Sequence, residues 1–71
     1  MIEVDARGLS CPIPVVKTKK AMESKPGDEI VVLVDEMTQV ENISRLARSR
    51  GYSVAVEESE DGYRLTLTPP G

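Results

Sequence analysis

With 71 residues, the chain is expected to form one domain, residues 1–71, near the lower limit for a self-sufficient core. A single cysteine excludes an internal disulfide, and the absence of histidine removes the usual zinc-ligand spacings, so no metal and no cofactor are expected. The net charge of −3 argues against direct nucleic-acid binding by phosphate neutralisation, and Tyr52 and Tyr63 make no base-stacking platform.

Ile2, Val4 and Ala6 alternate with Glu3 and Asp5, the pattern of a half-buried strand. Gly8 then frees the backbone for a turn. Proline is favoured at the first helical position, so Pro12 predicts a helix from Pro12 to about Met22, with Cys11 as its N-cap and Pro14 in the first turn. A thiol there would meet unpaired N–H groups and the positive end of the helix dipole, which lower its pKa and favour the reactive thiolate. Pro14, Val15, Thr18, Ala21 and Met22 share a face that can cover a sheet. Ile13 and Val16 fall elsewhere, among Lys17, Lys19 and Lys20. They are either tolerated surface residues or a small apolar patch where partners dock.

Lys25-Pro26-Gly27-Asp28 is a turn signal, and Glu29–Val34, apolar throughout Ile30–Val34, predicts a central strand parallel to the first. That run is far too short to cross a membrane. A second helix is expected from about Thr38 to Arg50, opened by a Thr38–Glu41 capping box, with Asp35 either helping to cap it or hydrogen bonding near the Cys11 thiol. Val40, Ile43, Ser44 and Ala47 form its inner face, Glu41 and Arg45 an outer i,i+4 pair, and Gly51 its stop. Tyr52, Val54 and Val56 alternate in a third strand. Ser59-Glu60-Asp61-Gly62 turns the chain, with Asp61-Gly62 as a hairpin signal, and Tyr63, Leu65 and Leu67 alternate in a fourth strand. The sum is an α+β, two-layer βαβαββ sandwich: a four-stranded mixed sheet with two helices on one face.

Cys11 has two readings, a small buried hydrophobe or a reactive thiol. Without histidine or a second cysteine, a reactive Cys11 is left to accept and release a group through its own sulfur. Persulfide transfer and reversible oxidation both fit.

The run Asp5-Ala6-Arg7-Gly8-Leu9-Ser10-Cys11-Pro12-Ile13-Pro14, continuing to Lys19-Lys20-Ala21-Met22, resembles the signature of the TusA/SirA/YedF-like sulfur carriers, with its Cys-Pro-x-Pro motif. The resemblance spans essentially the whole chain. It implies the same fold, with Cys11 carrying a persulfide from a cysteine desulfurase or other donor to a downstream acceptor protein. Pro12 and Pro14 would shape the helix start, and Gly8 the approach. Val34–Ile43, with Gly51-Tyr52-Ser53-Val54, is similar to the N-terminal domain of YedF-type proteins linked to selenium metabolism. Those usually continue into a second domain.

Arg7, Ile13, Val16, Lys17 and Lys20 are the candidate partner-docking residues. Arg7 either holds the persulfide anion or forms a surface ion pair. The alternative function is a regulatory or protein-interaction module linked to selenium or redox metabolism, without sulfur turnover. A lone thiol suits a reducing compartment, and a strand that starts within two residues leaves no room for a signal peptide, so the expected location is the cytoplasm.

Overall fold

The computed structural model describes residues 1–9 and 12–70. In chain order the elements are β1 (Ile2–Asp5), α1 (Ile13–Ser24), β2 (Ile30–Val34), α2 (Met37–Ser49), β3 (Ser53–Ser59) and β4 (Gly62–Thr68). The sheet order is β1-β2-β4-β3, with β1 parallel to β2 and the other two pairings antiparallel. The expected mixed four-stranded sandwich is therefore what the chain forms. β2 occupies the centre because its alternating side chains are apolar on both faces.

Register places Ile30 beside Ile2 and Leu67, and Val32 beside Val4 and Leu65, so these side chains form rows under the helices. Pro14, Thr18, Ala21 and Met22 of α1, and Val40, Ile43, Ser44 and Ala47 of α2, close the core from above. Burying a side chain the size of Ile43 or Leu65 contributes about 2 kcal/mol, which makes these rows the main source of stability. Thr18 is tolerated inside because its hydroxyl donates to the Pro14 carbonyl at 2.9 Å. On the other face, Val31 is only 1% exposed although no helix lies there. Its register partners there are Glu3 and Thr66, one on each neighbouring strand.

β3 departs from expectation. Val56 pairs with buried Leu65 yet is 45% exposed, because β3 is an edge strand. The Ser59–Gly62 turn forms as expected, although Asp61-Gly62 is not its centre. Ser59 pairs with Gly62, leaving Glu60 and Asp61 as the loop, and no described residue other than glycine has positive φ. Gly62 therefore opens β4, at φ 133°, rather than sitting at the turn centre. A Cβ there would run into the Val34 carbonyl and come within 2.8 Å of the Asp35 Cα. The glycine is required by close approach, not by the loop.

Charge divides with the layers. Lysines and arginines gather on the helices, at Lys17, Lys19, Lys20, Arg45 and Arg48. The strands and the β3–β4 hairpin carry Glu3, Asp5, Glu57, Glu58, Glu60 and Asp61. Among the described residues, no helix is long and apolar enough to cross a membrane.

Candidate functional site

β1 and β2 run parallel, so their C-terminal ends lie together and each leads into the start of a helix. Buried Ala6 extends the ladder beyond β1, its N–H donating to the Leu33 carbonyl at 2.8 Å. The chain then turns through Gly8, whose φ of 78° favours glycine. Two side chains from the β2–α2 side hold this corner. Gly8 N–H donates to Asp35 Oδ2 at 2.9 Å, and Gln39 Nε2 donates to the Leu9 carbonyl at 2.6 Å. The Leu9 N–H also reaches back to the Ala6 carbonyl at 3.3 Å.

Asp35 thus does not cap α2. The N-cap is Glu36, without a side-chain cap bond, which puts Thr38 at the second helical position and takes the Thr38–Glu41 box out of phase. The Glu41–Arg45 pair is not made either; Arg45 Nη1 lies 3.5 Å from Asn42 Oδ1 instead.

At the start of α1, Pro12 rather than Cys11 takes the N-cap position (φ −98°, ψ 15°), and its carbonyl accepts from Val16 N–H at 3.0 Å. Pro14 becomes the second helical residue. Having no N–H, it leaves the first-turn amides to Ile13 and Val15, which receive no side-chain cap. The expectations for Cys11 itself, with Ser10 beside it, lie outside the described residues.

Ile13, Val16, Lys17 and Lys20 follow helical spacing along one exposed stripe that starts beside Pro12, with Ile13 at 45% and Val16 at 42% exposure. On the α2 side of that helix, Pro12, Val15, Asn42, Arg45, Leu46 and Ser49 line a shallow, open groove. Arg7 does not join the stripe. Its guanidinium grips Asp5 through two bonds of 3.0 Å, and its other Nη lies 4.0 Å from Asp61. These side-chain bonds, with the Arg7 N–H adding a third to Asp5, lower the Asp5 pKa to about 2.

Sequence reading assigned no role to Gln39. It is 3% exposed, and its Oε1 has no hydrogen-bond partner among the described residues. The available signal was its spacing: position 39 precedes Ile43 and Leu46 by four and seven residues, so an amide stands on an apolar face. Among the described residues no group of acidic or cysteine side chains is placed to hold a metal.

The fold and the motif around its helix start define a class. The crystal structure of a SirA-like protein from Desulfitobacterium hafniense superposes with a TM-score of 0.93 at 34% identity, covering all of both chains. The family model described as "Sulfurtransferase TusA" matches residues 2–68, and the chain belongs to that family. A Methanocaldococcus jannaschii protein, named provisionally as a sulfur carrier, is 42% identical over 69 residues, covering 94% of this chain and 92% of its own. The sulfur carrier protein TusA of Allochromatium vinosum is 26% identical over 61 residues, covering 84% of this chain and 80% of its own. The general role that follows is that of a sulfur carrier.

Proposed function

We propose that Cys11 accepts sulfane sulfur as a persulfide and relays it to a protein acceptor. The observation that carries this reading is the family match over residues 2–68 in a chain whose only cysteine is Cys11. A carrier of sulfane sulfur needs a thiol, and no other is present. In the loading step the Cys11 thiolate attacks the outer sulfur of the donor's persulfide. A new S–S bond forms on Cys11, the donor's S–S bond breaks, and the donor leaves as a thiolate. Delivery repeats the exchange in the other direction, so no outside oxidant or reductant is consumed.

The open groove beside Pro12 supports exchange with proteins rather than enclosure of a small molecule. Ile13, Val16, Lys17 and Lys20 would dock an acidic partner surface, with the apolar pair giving contact and the lysines steering approach. Arg7, engaged by Asp5, supports a structural part at that rim. The work is placed in the cytoplasm, where thiols stay reduced, by one TusA-like domain over residues 1–71. Its second half, Val34–Ile43 with Gly51–Val54, suits a YedF-type setting, in which selenium is the alternative cargo.

The test is incubation with a cysteine desulfurase and cysteine, read by intact mass and peptide mapping. Wild type should gain one sulfur on Cys11, removable by thiol, and Cys11→Ser none. Charge reversal at Lys17 and Lys20 together should slow loading by about tenfold and weaken its salt dependence. No sulfur gain under conditions that load other carriers rejects the relay. Intact cellular function in Cys11→Ser would favour the interaction-module reading.

A further inference from the structure

We infer that Gln39 is a positioning residue for sulfur transfer, acting with Asp35 to fix the segment that bears Cys11; the inference rests on the relay reading above. The two sides of that segment are anchored to different helices. Upstream, Gly8 and Leu9 are tied to the β2–α2 side through Asp35 Oδ2 at 2.9 Å and Gln39 Nε2 at 2.6 Å. Downstream, the Pro12 carbonyl is bound into α1 through Val16 N–H at 3.0 Å. In sequence, only Ser10 and Cys11 separate these two anchors.

The state of Gln39 is the observation that separates positioning from packing. The side chain is buried on the same helix as the core residues Val40 and Ile43. Its Nε2 is used on the Leu9 carbonyl, which fixes the orientation of the amide, while Oε1 is buried and unpaired. An unpaired buried acceptor carries a desolvation penalty that a thioether or alkyl chain does not. The orphaned oxygen offsets the stability that the Leu9 bond contributes, so what the amide chiefly supplies is the tether on Leu9. Transfer between two sulfurs is in turn sensitive to alignment, since small misplacements of reacting groups lower rates steeply.

Gln39→Met keeps the volume and removes both the tether and the orphaned oxygen. The expected result is a little-changed Tm together with about a tenfold lower rate of sulfur uptake at saturating donor, the donor concentration for half-maximal rate staying the same. Amide hydrogen exchange should speed up at Gly8 and Leu9 but not in the core of α2. Asp35→Ala should loosen the same corner from its exposed side, and Asp35→Asn, which keeps an acceptor for Gly8, should restore it. If Gln39→Met fails to fold, the Asp35 pair decides.

Unchanged exchange at Gly8 and Leu9 with unchanged uptake overturns the inference. So does a fall in uptake that tracks a fall in Tm. If wild type takes up no sulfur while the variant loosens that corner alone, the relay reading falls and the tether stands.

Discussion

The two ends of the sandwich are closed by different means. At the end away from Pro12, each turn is completed by neighbours in sequence. The α2 terminus finishes with Gly51 N–H on the Arg48 carbonyl at 3.0 Å and Tyr52 N–H on the Ala47 carbonyl at 2.9 Å, the paired bonds of a Schellman motif. The Lys25–Asp28 turn closes through Asp28 N–H on the Lys25 carbonyl at 3.2 Å, with Gly27 at φ 102°. At the end holding Gly8 and Pro12, the decisive bonds span 27 residues (Gly8 to Asp35) and 30 residues (Leu9 to Gln39). Local closure makes a robust end. Closure at a distance makes an end whose shape depends on how the whole fold is assembled.

Three substitutions break or sharpen this contrast. The largest effect is expected from Gly62→Val, which drives a side chain into the Val34 carbonyl at the β2–α2 junction while holding φ at 133°. It should cost about 3 kcal/mol or more, read as a lower denaturation midpoint, and should cut sulfur loading through loss of folded protein. Gly51→Ala at the far end faces only ordinary contact with Pro70 but carries φ 83°. A loss of about 1 kcal/mol is expected with no change in loading by the folded fraction. A loading defect in that variant would show that the two ends are coupled.

The smallest effect concerns acid. Because Arg7 holds the folded-state pKa of Asp5 at about 2 against an ordinary 3.8, the pair's stabilisation is complete above the ordinary value. It fades as pH falls toward 2. Arg7→Ala should return the Asp5 carboxyl to near 3.8 in an NMR titration, and the acid limb of stability should flatten slightly. An unmoved midpoint would mean that Arg7 is not the cause.

The same contrast explains what could be read in advance. Periodicity marked the inner face of α2, the alternation of Leu65 and Leu67, the apolar strand Ile30–Val34 and the stop at Gly51, because each is a property of adjacent residues. The start of each helix was harder. Thr38 and Glu41 have the spacing of a box, but the helix begins at Met37, so the pair falls out of register. At α1, a proline next to Cys11 fits either side of the helix boundary, and the chain settles with Pro12 as the cap. Asp35 could be read as a hydrogen-bonding acid near Cys11, but its partner and that of Gln39 were out of reach for a different reason. Their partners are the backbone groups of Gly8 and Leu9, and nothing in a backbone group is written in its residue type. Only the buried amide at helical spacing from Ile43 and Leu46 left a trace.

β1 starts and β4 finishes at the same pole, since Ile2 and Leu67 both register against Ile30. Gly8 and Pro12 stand at the opposite pole of a body 31 Å long and 20 Å across. A tag, tether or surface linkage attached next to Ile2 or Thr68 therefore leaves the Gly8–Pro12 pole unobstructed. Immobilised protein can be offered to soluble enzymes with that pole facing outward, whichever side of the chain is anchored.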